Sequence, residues 1–148
     1  MKVRYHIYKD VKIHQAGTSD EEIVAAANKK IQHLRYSFVS SAYHHRRQML
    51  YLGTTSFAGD ILVAFDPKKE KFVSLKAHKS GILSPLDVKI HKGLTLDEKN
   101  DKLYFATAAL SGISGMIETA GGIVVSYDIA KNKFESLGHP VKGDFYQS

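Results

Sequence analysis

At 148 residues, 43% hydrophobic and 24% charged, the chain has the size and composition of one ordinary globular domain, which excludes an intrinsically disordered protein. It has no cysteine, which removes disulfides, thiolate catalysis and cysteine-ligated metals together. A net charge of +6 and a pI near 9.4 raise nucleic acid, acidic glycan and anionic lipid as partners, but Asp and Glu interleave with scattered lysines, which argues against nucleic acid.

The first stretch, MKVRYHIYKDVKIH, alternates polar and apolar residues. Val3, Tyr5 and Ile7, then Val11 and Ile13, predict a strand or a tight hairpin ended by Gly17. It has no apolar core of the kind a signal peptide needs, and no run reaches the ~18 apolar residues of a membrane span. A complete chain is therefore expected to be cytoplasmic and off the membrane, whereas a fragment leaves the location open. Next, Ser19-Asp20-Glu21-Glu22 is a capping box, in which the Ser19 hydroxyl takes the Glu22 amide and the Glu22 carboxylate reaches back. Ile23, Ala27, Ile31 and Leu34 recur at helical spacing, so a short α-helix is expected over 20–34. Its modest apolar stripe suits lying on a sheet. Residues 1–36 form this N-terminal segment.

From Tyr36 the period falls to two. Strands are expected at 37–43, 48–54, 61–65 and 71–75, and again at 93–96, 102–106, 122–127 and 133–137. The second set repeats the first. Leu50-Tyr51-Leu52-Gly53-Thr54 lies over Leu103-Tyr104-Phe105-Ala106-Thr107, Asp66 over Asp128, and Lys71-Phe72 over Lys133-Phe134. Asp66 and Asp128 each open a turn whose side chain can bond the backbone two residues on. Leu50 and Leu103 are 53 residues apart and Asp66 and Asp128 are 62 apart, so the second unit carries nine extra residues between its second and third strands. Residues 141–148 read as a polar tail.

Four short antiparallel strands repeated about every 50 residues, with LYFAT, VVSYD and KFESL in turn, resemble blades of a β-propeller. The chain is similar to the wide group of lactonase, quinoprotein-like and polysaccharide-lyase propellers. The resemblance covers 37–140 and implies a mainly β protein, with two four-stranded antiparallel blades at about 37–76 and 93–138. Two blades do not close a ring of about four to eight. The chain is therefore expected to associate with copies of itself, to pair with another propeller chain, or to be part of a larger ring.

The resemblance also sorts the loops. Hairpin tips such as His44-His45-Arg46-Arg47, which matches Asp97-Glu98-Lys99-Asn100, fall on one side and are expected to be solvated. The second-to-third-strand loops and the link 76–92 fall on the other, where similar families carry their site. The link holds His78, Lys79, Asp87, Lys89 and His91, and the enlarged loop holds Ser114 and Glu118. His78 or His91 could act as general base on an acidic carbohydrate, with Lys79 or Lys89 holding its carboxylate. Asp87, Ser114 and Glu118 complete a ligand-binding set. His78, His91 and His139 could also meet around a divalent metal with Asp87 or Glu118, but no close ligand pair fixes one, so the metal is unknown. No motif names a cofactor. Ser111-Gly112-Ile113-Ser114-Gly115 lacks the context of a nucleophile elbow or a phosphate loop. Two functions follow. One is a binding module for a ligand or protein partner in an assembled ring; the other is a propeller lyase or hydrolase acting on an anionic carbohydrate.

Overall fold

The computed structural model describes residues 37–56, 59–109 and 122–140, together with Ser19, Glu21, Glu22, Val24 and Ala25. The capping box is formed. The Glu22 amide donates to Ser19 Oγ at 3.3 Å and the Ser19 amide to Glu22 Oε2 at 2.9 Å, and the four residues described beyond Ser19 are helical. The remainder of the expected helix, the expected strand at 2–14 and the tail 141–148 lie outside the described residues.

The rest of the described chain is β. Eight strands run in order: β1 (Ser37–His44), β2 (Met49–Thr55), β3 (Leu62–Asp66), β4 (Lys71–Ser74), β5 (Asp87–Asp97), β6 (Lys102–Ala109), β7 (Val124–Asp128) and β8 (Lys133–Gly138). β1–β4 form one antiparallel meander and β5–β8 another. A single pair, Thr55↔Lys89, joins β2 to β5. The result is one eight-stranded sheet, ordered β4-β3-β2-β5-β6-β7-β8 with β1 on β2, and it is not closed.

The two meanders pair in the same register. Leu50↔Phe65 and Tyr51↔Ala64 in the first stand where Leu103↔Tyr127 and Tyr104↔Ser126 stand in the second. The turns follow suit. The four-residue turns 45–48, 67–70, 98–101 and 129–132 each end on a left-handed residue, with φ of 51° at Gln48, 52° at Glu70, 53° at Asp101 and 51° at Asn132. In three of them an Asp side chain closes the turn: Asp66 accepts the Lys68 and Lys69 amides, Asp97 that of Asn100, and Asp128 that of Lys131. This is the local bonding that makes Asp a turn residue.

Alternation along each strand sends one set of side chains between the meanders. Tyr51, Leu62 and Ala64 from the first share a core with Ile90, Leu94, Leu103, Phe105, Val125 and Tyr127 from the second. Gly53 lets the inner strands close: a Cβ there would lie 2.3 Å from Ser40 Oγ and 2.6 Å from Ile90 Cγ2.

One boundary departs from the sequence expectation. The second meander was expected to begin at Gly93, but β5 begins at Asp87. Val88 and Ile90 are buried on alternate positions of Asp87-Val88-Lys89-Ile90-His91, and the Ser56 amide donates to the Val88 carbonyl at 2.8 Å. The alternation was present in the sequence, masked by the polar residues between. A bulge follows, because the register steps from Ile90↔Thr107 to Leu94↔Phe105.

Candidate functional site

At the end of the sheet bearing the β1–β2 and β5–β6 turns, the two tips hold each other. His44 is fully buried, and its Nε2 donates to Asp101 Oδ1 at 2.6 Å. Arg47 makes a two-pronged contact with the same carboxylate, Nη2 to Oδ2 at 2.8 Å and Nε to Oδ1 at 3.1 Å. The Arg46 amide donates to Glu98 Oε1 at 2.9 Å, its guanidinium to the Glu98 carbonyl, and His45 lies 3.2 Å from Glu98 Oε2. Arg47, then His44, hold the Asp101 carboxyl well below the usual carboxylate range. The Arg46 amide lowers the Glu98 carboxyl. His45, Arg46, Arg47 and Gln48 stay exposed, as expected of a hairpin tip, and His44 is the residue of this stretch that is buried. The basic first tip and the acidic second one are complementary, and that contrast was the available signal. The clasp sets Arg47 and Asp101 against each other, while Lys68, Lys71, Lys99 and Lys133 on the turns of the same end stay exposed, in no ion pair among the described residues.

Between the meanders lies a groove of about 520 Å³ whose walls include Tyr51, Val73, Leu75 and Tyr127. Its ions are paired: Lys69 with Asp66 at 3.3 Å, and Arg47 with Asp101. Burial, then Tyr51, pushes the Tyr127 phenol up to about 12, and its hydroxyl donates to Asn132 Oδ1 at 2.8 Å.

The opposite end differs. A cleft of about 460 Å³ is lined by Ser56, Asp60, Ser74, Lys76, His78 and Lys79, with Gly59 and Pro85. Asp60 organises it. The carboxylate accepts from Ser74 Oγ at 2.8 Å, from the Ala77 amide at 3.0 Å and from the Lys76 amide. Lys76 is left-handed, with φ 61°, and the 3-10 turn Ala77–Ser80 follows it. Successive amides in such a bend converge on an anion, and here the anion is the chain's own. The side chains of Lys76 and Lys79 stay exposed. Neither is in an ion pair among the described residues.

His78 is half-buried beside them. Its Nε2 donates to the Asp87 carbonyl at 2.9 Å, so in the neutral ring the proton sits on Nε2 and Nδ1 is the basic nitrogen. Asp87 itself does not line the cleft. Its carboxyl is buried and accepts from Thr107 Oγ1 at 2.6 Å and from the Ser84 amide at 2.8 Å. Burial pushes that carboxyl up. Thr107 Oγ1 also accepts from the Ile123 amide at 2.9 Å, so one hydroxyl ties the link, β6 and the start of β7 together. Thr107→Val would leave a buried carboxyl and a buried amide each short of a partner. We expect a loss of about 2 kcal/mol, read as a lower urea midpoint at unchanged slope.

The predicted site residues therefore divide. His78 and Lys79 share the cleft. Asp87 meets His78 only through its main-chain carbonyl and serves structure. Lys89 pairs with Thr55 and Ala108 on β5, where burial, then Lys92, lowers its pKa. His91 is half-buried at the β5 bulge rather than in a loop, and does not line the cleft. Ser114 and Glu118 lie outside the described residues. Among the described residues no group of three or more His, Cys, Asp or Glu stands close enough to hold a metal ion, and no helix is long and apolar enough to cross a membrane. Sequence reasoning missed Asp60, Ser74 and Lys76. Their grouping depends on a contact across 16 residues that no local pattern displays.

No protein-family model and no curated protein sequence matches this chain.

Proposed function

We propose that the chain is a two-blade β-propeller module, completed into a ring by association, that binds an anionic carbohydrate at the cleft between the β2–β3 loop and the β4–β5 link. The equal registers of the two meanders support the blades. One observation carries the ligand class: Lys76 and Lys79 stand exposed, in no ion pair among the described residues, at a cleft that also carries the exposed Ser74. The acid that could have neutralised them, Asp60, is occupied by backbone amides. Two such cations suit a uronate carboxylate, and the Ser74 hydroxyl suits a sugar oxygen.

Titration calorimetry with an oligogalacturonate tests this. Binding is expected to weaken with added salt, because exposed charges are screened over roughly 8 Å at physiological ionic strength. Lys76→Ala with Lys79→Ala should weaken it about tenfold or more, the equivalent of ~1.4 kcal/mol. Equal binding of a neutral oligosaccharide, or no effect of the double variant, defeats the proposal. His78 in the same cleft favours a second function, in which Nδ1 abstracts the proton beside the uronate carboxylate and the glycosidic oxygen leaves by elimination. The titrated mixtures would then gain the absorbance of an unsaturated sugar, lost in His78→Ala and kept in His91→Ala.

A further inference from the structure

We propose that the partner completing the assembly is a second copy of this chain, bound head to tail. The outer face of one copy's first meander would pack on the outer face of the next copy's second meander. This rests on the blades proposed above and adds the surfaces that join them.

The core shows what one meander requires of another. The first contributes Tyr51, Leu62 and Ala64, and the second contributes Leu103, Phe105, Val125 and Tyr127. Strand alternation turns their neighbours the other way. On the first meander these are Leu50, Leu52, Val63, Phe65 and Phe72; on the second, Tyr104, Ala106, Val124, Ser126 and Leu137. None belongs to the shared core cluster.

The matched registers relate the four faces. Leu50↔Phe65 and Leu52↔Val63 occupy the places of Leu103↔Tyr127 and Phe105↔Val125. The outer face of the first meander is therefore built like the face that the second meander buries. Likewise Tyr104↔Ser126 and Ala106↔Val124 occupy the places of Tyr51↔Ala64 and Gly53↔Leu62, so the outer face of the second meander is built like the face that the first one buries. Each end of the chain carries the complement of the other, and both carry exposed apolar side chains: Phe72 is 59% and Leu137 53% exposed. A surface whose complement lies elsewhere on the same molecule makes a heterologous contact, which gives a ring when the rotation closes.

The copy-to-copy contact differs from the internal one in one respect. The acids of the clasp, Glu98 and Asp101, have His45 and Gln48 in their places on the first tip. An incoming second tip would meet no carboxylate there, so the joint between copies lacks the clasp and is the weaker of the two. Assembly should therefore depend on concentration while each chain stays folded.

Light scattering across micromolar to millimolar concentration, on the full chain and on Phe72→Asp and Leu137→Asp, tests this. Both replaced side chains are exposed, and circular dichroism checks that each variant remains folded. The wild-type mass should rise with concentration in multiples of 16.5 kDa. Each variant alone should stop at the monomer or lose at least tenfold in association. An equimolar mixture of the two should form one-to-one heterodimers and nothing larger, because each variant keeps the face that the other has lost. A wild type that stays monomeric overturns the interface, as does association abolished by only one variant. So does Phe72→Asp lowering stability without changing mass, which would mean that the chain covers this face itself. The cleft is read separately: failure to bind oligogalacturonate leaves the interface standing, and a monomer that binds it leaves the cleft standing.

Discussion

Gly53→Ala is expected to destabilise the protein by about 1–3 kcal/mol, the range for a methyl group forced into a filled core. The added carbon would sit 2.3 Å from Ser40 Oγ, 2.6 Å from Ile90 Cγ2 and 2.9 Å from Ile90 Cβ. The serine hydroxyl can rotate away. Ile90 Cβ cannot, because it is fixed to the β5 backbone and its side chain is fully buried. Either β5 moves off β2 or the Ser40↔Gly53 pair opens. Both loosen the joint between the meanders, where a single residue pair, Thr55↔Lys89, forms the ladder of β2 with β5. The measurement is urea unfolding of Gly53→Ala, of Ile90→Ala and of the double variant. Ile90→Ala alone should cost about 2–5 kcal/mol through the cavity it leaves. In that background Gly53→Ala should cost less, since Ile90 Cγ2 is gone, although the Cβ that alanine keeps still lies 2.9 Å from the added carbon. Additive losses would mean that the contact with Ile90 Cγ2 does not limit this position.

Asp101→Asn should give the other large loss, and pH identifies its source. The carboxylate serves Arg47 through two bonds and the fully buried His44 through a third. An amide presents one acceptor oxygen and turns an N–H toward donors. The effect should exceed that of ordinary surface charge removal, because a buried imidazole loses its acceptor. Asp101 is held well below the carboxylate range in the fold. A depressed acid stabilises fully above its unfolded pKa, about 3.9, and that contribution disappears as pH falls through the folded value. Wild type should therefore lose stability below about pH 4, and Asp101→Asn should flatten that limb. It should not abolish it, because Glu98, Asp97 and Asp128 are also held low, by the Arg46 amide, the Asn100 side chain and the Lys131 amide respectively. Asp87 acts with the opposite sign. Burial raises its pKa, so the fold favours its protonated form and this contribution is lost as pH rises past the ordinary value. An acid limb unchanged in Asp101→Asn would place the clasp outside the acid sensitivity.

What the chain wrote locally is what could be read from it. Period-two alternation placed the strands within a few residues, with β5 the exception. Asp66 and Asp128 were read as turn residues, and both close their turns with their own side chains, because that bond spans two or three positions and needs no distant partner. The capping box at Ser19 is legible for the same reason. Matching Leu50 with Leu103 and Asp66 with Asp128 also gave the equal strand registers, since register follows from turn length and alternation.

Tertiary structure decided everything that depends on distant partners. His44 is buried because Asp101, 57 residues later, is brought to its Nε2. Asp87 leaves the loop and becomes the start of β5, where Thr107 and Ser84 supply its bonds and the next strand residues pair with β2 and β6. That shift separates the two histidines the sequence offered as equals, leaving His78 beside the cleft and His91 in the bulge. Lys76 joins Lys79 at the cleft because Asp60, 16 residues upstream, takes its backbone amide and leaves its side chain exposed. Alternation and turn chemistry act over a few residues and survive in the sequence, whereas charge pairing and burial act through space and take their partners from whichever strands the fold brings together.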